Sequence, residues 1–163
     1  MCQSLYGRFN GKSVQESEVA SQKPKDLAAG KKFVLNGSWG HLPKSGIVAD
    51  KKPFFFHTDI NSERQITIDL QNTSILEELV IQNRTDTCQD RASFLFYQLH
   101  TSEEIDRDKW VPLNIPEDFL TSRNTEFRTP LGRRRARYIT IYSPAYTALH
   151  FSSVQVLGYG AVS

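Results

Sequence analysis

The chain has 163 residues, of which 39% are hydrophobic and 23% charged, and this predicts a single globular domain, alone or with an extension. Its formal net charge of +2 is too small to indicate nucleic acid or an anionic membrane as a partner. Ten Phe, six Tyr and two Trp against a single Met favour a β-rich core.

Cysteine usage and hydropathy narrow the class further. The two cysteines, Cys2 and Cys88, predict neither a disulfide framework nor a zinc site. No apolar run at the start has the form of a secretory signal, and no stretch approaches transmembrane length, so we expect no membrane insertion. The compartment stays open: the chain is cytoplasmic or is excised from a larger protein.

Two regions follow one another along the chain. Residues 1–25 are polar, rich in Ser, Gln, Lys and Glu, and show no sustained period. They are interpreted as an extension or linker. Residues 26–163 are predicted to form the folded domain.

The domain reads as a series of short apolar runs separated by turn residues. No segment has the periodicity of a long amphipathic helix, so the pattern predicts an all-β fold, an antiparallel β-sandwich of the jelly-roll type. The predicted strands are 33–35, 65–70, 75–81, 94–99, 110–113, 137–142 and 154–158.

Polar residues crowd into 83–91, between two predicted strands, where Arg84 and Arg91 flank Asp86. Each guanidinium presents fixed donors that suit adjacent sugar hydroxyls. The carboxylate can hold one guanidinium in place by a charge-assisted pair, and a neutral His would add a donor or an acceptor. The alternative is a solvated ion pair in a loop.

The spacing of these residues resembles a known family. His57 is followed by 26 intervening residues, then Arg84, Thr85 and Asp86, four more residues, and Arg91. This is similar to the His/Arg/Asp/Arg pattern of the F-type lectins, a fucose-binding family within the discoidin-like (F5/8 type C) superfamily. Further similarities run from residue 25 to residue 158; they are His57-Thr58, Ile68-Asp69-Leu70, residues 138–142, Leu149-His150 and Val154-Gln155-Val156.

The resemblance implies roles for particular side chains. His57, Arg84 and Arg91 would hydrogen-bond the sugar, and Asp86 would orient an arginine. Two adjacent half-cystines of the family fall on a non-cysteine and a cysteine here, so the vicinal disulfide is missing from the apolar surface under the sugar. The candidates for that surface, each of which is alternatively core or rim, are Phe55, Phe56, Thr87, Cys88 and Tyr146.

A structural calcium also belongs to the family's pattern. This chain departs from it, because the loop before His57 is short and contains Lys51 and Lys52, and Ser153 stands where the family has a Glu. Calcium needs six to eight oxygen ligands. We therefore expect calcium binding to be weakened or absent, and no other metal or cofactor.

Other features receive a structural interpretation. The charged run Gly132–Arg137 is predicted to form a solvated hairpin loop. His150 is predicted to be a structural histidine whose hydrogen bonds are satisfied. The sequence shows neither a pair of carboxylates nor a nucleophile motif that would indicate catalysis.

The sequence thus predicts a non-catalytic lectin-type module that binds fucose or a similar sugar with an axial hydroxyl, galactose being the second choice. Avidity would come from homo-oligomers or from a fused enzyme domain. The alternative is a discoidin-like structural or protein-interaction module that has lost sugar binding and is attached to a larger glycan-processing protein.

Overall fold

The computed structural model describes residues 23–101, 110–115 and 126–161. In these ranges the chain forms antiparallel strands and one short 3-10 turn, Gln89–Ala92. The strands are β1 (Lys25–Asp26), β2 (Lys32–Leu35), β3 (Ser45–Ile47), β4 (Arg64–Asn83), β5 (Phe96–His100), β6 (Val111–Pro112), β7 (Glu126–Ser143) and β8 (Phe151–Ala161).

Two long strands, β4 and β7, contribute to both layers of the fold. The first part of β4 pairs with β2 and the end of β7, so that Ile66 lies opposite Leu35 and Ile141. The second part pairs with β8 and the start of β7, so that Leu79 lies opposite Val156 and Thr129. Register shifts between these parts bend the strands, as bulges do.

The remaining strands extend these layers. Strands β5 and β6 continue outward from β7, β3 pairs with β2, and β1 pairs with β8. The prediction of an all-β antiparallel sandwich is confirmed.

The core lies between the two layers and is supplied by alternate residues of the paired strands. Burial of each such side chain stabilises the fold by about 1.5–3 kcal/mol. Phe56 and Phe151 close the core at one end, with their ring centroids 5.5 Å apart. The strand residues that carry the core include Ile66, Ile68, Leu79, Ile81, Ile139, Ile141, Val154 and Val156, all buried.

The predicted domain boundary falls close to the first strand. Residues 1–22, most of the predicted extension, lie outside the described residues. Lys25, the last residue of that extension, already pairs with Gly158 in β8.

Three local predictions differ from the structure. The predicted strands 65–70 and 75–81 are one continuous strand, β4. The predicted hairpin loop at Gly132–Arg137 is wrong, because this run lies inside β7. There Gly132 and Arg133 adopt left-handed φ values of 68° and 56°, which lets Leu131 and Ala136 both reach the interior. The predicted start of the strand at Phe94 is also wrong, because Phe94 is exposed with a φ of 54°.

The start of β8 and the residues just before it are joined to the segment 54–58. The amide of Phe55 donates to the carbonyl of Phe151 over 2.9 Å, and that of Thr58 donates to the carbonyl of Leu149 over 2.9 Å. The Thr58 hydroxyl accepts from the amide of Leu149 over 2.8 Å. These bonds hold the segment 54–58 and residues 149–151 in one fixed arrangement. None of the described residues forms a helix long and apolar enough to cross a membrane.

Candidate functional site

The loop after β4 is closed by a buried side chain. The amide group of Asn83 donates to the carbonyl of Gln89 over 2.9 Å, and its side-chain oxygen accepts from the amide of Arg84 over 2.8 Å. Cys88 adopts a left-handed φ of 61° before the 3-10 turn. The loop therefore folds back on itself, which places Arg84 and Arg91 on one short, closed segment.

Arg84 is held on two sides. Its Nε and Nη2 donate to the two carboxylate oxygens of Asp86, the second over 3.2 Å. Its guanidinium carbon lies 4.7 Å from the centre of the Phe54 ring, within the range of a cation–π contact. Among the described residues no acceptor pairs with its Nη1, so this end of the fork remains available to a ligand.

Asp86 serves as the anchor of that arginine. The Arg84 hydrogen bonds, together with a 2.7 Å bond from the amide of Thr87, lower the pKa of Asp86 to about 2. The carboxylate is thus ionised across the neutral range. Because the Asp86 carboxylate is already paired with the guanidinium of Arg84, it is suited to orienting that arginine and not to acid–base chemistry.

His57 lies beside this pair and is only 5% exposed. Its Nδ1 lies 3.0 Å from the carbonyl oxygen of Thr58. Since a carbonyl can only accept, Nδ1 carries the proton, and Nε2 offers a lone pair. Burial, with smaller contributions from the charges of Arg84 and Arg91, lowers the pKa of His57 below its ordinary 6.5. The imidazole is therefore neutral at pH 7.

Two aromatic rings border His57, and neither is among the site residues predicted from the sequence. Trp39 lies with its ring centroid 4.9 Å from that of His57, and Phe54 lies 5.2 Å away. The amide of Trp39 donates to the carbonyl of His57 over 3.0 Å, which fixes the loop carrying it. Trp39 is 58% exposed. In the sequence, the only signal for Trp39 is a large aromatic residue among turn residues, outside any predicted strand.

His150 forms the inner side of the site. Its neighbours Leu149 and Phe151 face the core, so His150 points the other way, and its ring centroid lies 4.9 Å from that of His57. It is 2% exposed, yet neither ring nitrogen has a hydrogen-bond partner among the described residues. The prediction of satisfied hydrogen bonds is wrong. Burial, and then the nearby positive groups, lowers the pKa of His150 to about 3.

The other predicted site residues are distributed as follows. Thr87 is exposed and Cys88 is a half-buried free thiol, both on the Arg84 loop. Phe55 packs against Phe33 and Phe56, and Phe56 is buried in the core. Tyr146 is exposed, and its hydroxyl donates to the side chain of Asn61 over 2.9 Å. The aromatic surface next to His57 is instead made by Trp39 and Phe54.

The residues at the place where the family's pattern has a calcium do not fit that ion. The amide of Lys51 donates to the carbonyl of Ser152 over 3.0 Å, and Lys51 and Lys52 are exposed. In residues 23–101, 110–115 and 126–161 no three His, Cys, Asp or Glu side chains come together. Calcium requires several carboxylate oxygens, and this loop does not offer them.

The arrangement combines three kinds of recognition group. Arg84 and Arg91 carry donors, His57 offers an acceptor, and Trp39 and Phe54 present aromatic surface. The positive charge of Arg91 lowers the pKa of both His57 and His150. No described residue accepts a hydrogen bond from the Arg91 side chain. Convergent polar groups beside aromatic rings are typical of sites that bind small neutral polar ligands.

Comparison with known proteins identifies the fold. No protein-family model matches the sequence, and no protein of curated function matches it. Among solved structures, a fucose-binding module of Streptococcus pneumoniae is 20% identical, with a TM-score of 0.61 over 83% of this chain and 99% of that one. The lectin domain of lectinolysin, solved with the Lewis b antigen, is 16% identical, with a TM-score of 0.66 over 85% and 100%.

A serum fucolectin of the striped bass, Morone saxatilis, is 20% identical, with a TM-score of 0.65 over 85% of this chain. This chain spans 50% of the length of that lectin. The chain has the discoidin-like β-sandwich fold of fucose-binding modules and F-type lectins.

Proposed function

We propose that this chain is a non-catalytic, lectin-type module of the F-type lectin family that binds fucose or a similar sugar with an axial hydroxyl. The observation that carries the proposal is a neutral acceptor near an unused donor: His57, with Nε2 as acceptor, and Arg84, with Nη1 as donor, both lie against the ring of Phe54. A sugar hydroxyl donates one hydrogen bond and accepts others, so it can use both groups at once.

The anchoring of Arg84 supports this role. An arginine held by Asp86 and by the Phe54 ring loses little freedom when a ligand arrives, which lowers the cost of binding. Arg91 adds a second set of donors from the same loop. The pair allows two neighbouring oxygens of one sugar ring to be bound together.

The aromatic rings supply the second half of sugar recognition. The C–H face of a pyranose packs on an aromatic ring, and Trp39 and Phe54 border the polar groups. They would supply the apolar surface under the sugar in this chain, which lacks the family's vicinal disulfide. The proteins of similar fold include a fucose-binding module and a fucolectin, which agrees with a fucose-type ligand.

An open site of this kind binds one monosaccharide weakly, so several copies in one assembly are needed for avidity. We propose that these copies come from homo-oligomers or that the module is fused to a larger glycan-processing protein.

The test is a glycan array probed with the purified protein, with and without EDTA. We expect binding to fucosylated or galactosylated glycans that survives EDTA and is lost in Arg84→Ala. The matched control is Arg128→Ala, which removes a surface arginine paired with Glu78 and Glu126. Silence of the wild-type protein across the array would reject the lectin and favour a structural or protein-interaction module.

A further inference from the structure

The end of the sandwich that is distant from the proposed sugar site carries an excess of positive charge. Strand β8 pairs with β4 from Asn83 opposite Phe151, beside the sugar site, to Ser74 opposite Ala161. The strand between Asn83 and Ser74 extends about 30 Å. The surface around Ser74 is here called the basic end, and it comprises residues 25–32, 69–77 and 133–137.

The basic end is asymmetric in charge. It contains seven lysine and arginine side chains against three carboxylates, whereas the whole chain has a net charge of only +2. The remainder of the chain is therefore net negative. A concentration of one sign of charge on one surface attracts ligands of the opposite sign. The seven cations are Lys25, Lys31, Lys32, Arg133, Arg134, Arg135 and Arg137.

The three carboxylates of the basic end already have partners. One oxygen of Asp26 accepts from two backbone amides, over 2.9 and 3.1 Å. Asp69 accepts two hydrogen bonds from Arg137, over 3.0 and 3.2 Å. Glu77 accepts from Nε of Arg133 over 3.0 Å. The carboxylates therefore do not neutralise the other cations of this surface by direct pairing.

Three of the remaining cations have no ion-pair partner. No carboxylate of the described residues pairs with Lys25, Lys31 or Arg134. Lys25 and Arg134 are exposed, and Lys31 is half-buried. Their donors are consequently available to a ligand that carries negative charge.

The backbone of β7 directs the arginines outward. In a regular strand successive side chains point to opposite faces, so one of three consecutive arginines would face inward. Here Gly132 and Arg133 adopt left-handed φ values, and Arg133, Arg134 and Arg135 are all exposed. The irregularity thus produces a continuous cationic segment on the surface.

The unpaired lysines border an open cleft. Lys25, Lys31, Asn72 and Ser74 all line it, and the exposed Asn72 contributes a side-chain amide that can donate. Leu76 of β4 lies opposite both Arg134 and Gly158, and Gly158 lies opposite Lys25. Arg134 and Lys25 are therefore separated by three strand spacings, about 14 Å of sheet. One small anion does not reach across that distance, but a polymer does.

We infer that the basic end binds an anionic polysaccharide through the sulfate or carboxylate groups of its sugars. This inference goes beyond the proposed lectin function and does not depend on it. Ammonium and guanidinium groups suit both kinds of oxyanion. Each exposed ion pair contributes little alone, so charges repeated along one chain are needed for binding.

The absence of apolar surface favours a polysaccharide over other polyanions. Single-stranded nucleic acids stack on aromatic side chains, and membrane-surface segments insert apolar ones. The basic end presents neither kind among its described residues. The exposed large hydrophobic residues of the described ranges all lie elsewhere; they are Val34, Trp39, Leu42, Ile47, Ile60, Phe94 and Tyr146.

The experiment compares polymers that differ in charge. Dextran sulfate and unsulfated dextran share one backbone, and polygalacturonate carries carboxylates without sulfate. Titration calorimetry on the full chain, at low and at physiological salt, measures the affinity for each. We expect binding of a charged polymer and none of dextran, with an affinity that falls as salt is added, because salt screens these exposed charges. The polyanion that binds more tightly identifies the preferred group.

Two pairs of lysines locate the binding surface. The double variant Lys25→Gln, Lys31→Gln should weaken binding about tenfold. The matched control is Lys44→Gln, Lys51→Gln, which removes the same charge from exposed positions outside the basic end and should leave the affinity unchanged. Arg84→Ala, which tests the sugar site, should also leave it unchanged.

The other outcomes overturn the inference separately from the lectin function. Failure of the wild-type protein to bind either charged polymer rejects it, and so does equal weakening by the two double variants, while fucose binding stays unaffected. Loss of polymer binding in Arg84→Ala would assign the polyanion to the sugar site. Tighter binding of duplex DNA or of vesicles with anionic lipid, lost in Lys25→Gln, Lys31→Gln, would assign the basic end to another class of partner.

Discussion

Replacement of His150 by leucine should reduce the acid sensitivity of the fold. The imidazole is buried and has no hydrogen-bond partner in the described part of the chain, and burial lowers its pKa to about 3. In the unfolded chain a histidine titrates near its ordinary value of about 6.5. The folded pKa lies below the unfolded one, so the unfolded state takes up a proton first as the pH falls. Stability is then lost below pH 6.5 and levels off below the folded pKa.

The size of the effect follows from the two pKa values. At pH 5 the unfolded histidine is almost fully protonated and the folded one is neutral, which costs about 2 kcal/mol of stability relative to pH 7. His150→Leu should therefore be less destabilised between pH 7 and pH 5 than the wild-type protein, by about 2 kcal/mol. At pH 7 it should be at least as stable, because no unpartnered polar group is left buried at this position.

Urea unfolding at pH 7 and pH 5 measures this difference, with the slope of the transition checked for each protein. His41→Leu, at an exposed loop position, controls for the loss of one histidine. If the wild-type protein and His150→Leu lose the same stability on acidification, the reasoning is refuted. His150 would then have a partner or would take up its proton while folded.

Three further predictions concern the site. Trp39→Ala should weaken sugar binding about threefold to tenfold, the equivalent of about 1 kcal/mol of lost aromatic contact, with the melting temperature almost unchanged because Trp39 is largely exposed; a normal affinity would place the ligand elsewhere. Sugar binding should persist at pH 6.5 and decline on further acidification, because the pKa of His57 is lowered and protonation removes its acceptor Nε2. Titration calorimetry across pH 4.5–7.5 measures this dependence, and an affinity that rises with acid would contradict it. EDTA should leave the melting temperature unchanged, because no cluster of three carboxylate, His or Cys side chains occurs in the described residues and calcium sites usually contain several carboxylates. A clear drop would reveal a structural metal.

Much of the fold was predictable because β-strands are locally encoded. Period-two alternation in 65–70 and 137–142 places Ile66, Ile68, Ile139 and Ile141 on one face, and that face is the buried one. The bend in β4 was not predictable, since the register shifts depend on pairing with β7 and β8. The same applies to Gly132 and Arg133, whose charged neighbours suggested a loop.

The sugar site is proposed from two kinds of observation, the spacing of residues in the sequence and the contacts in the structure. Spacing along the chain singled out His57, Arg84, Asp86 and Arg91, and the bond between Arg84 and Asp86 spans only two residues. The contact of Trp39 with His57 joins segments that local pattern does not relate. Neither does any local pattern reveal that the nitrogens of His150 lack partners.

The three successive phenylalanines, residues 54–56, show which features the sequence determines and which features depend on the tertiary structure. By itself the sequence determined that an all-β domain has an aromatic-rich segment directly before the candidate histidine. Only the tertiary structure decided that Phe55 and Phe56 enter the core while Phe54 lies under Arg84. The physical reason is that hydrogen bonds from this segment to residues 149–151 set the direction of each ring, and those partners lie more than ninety positions away in the chain.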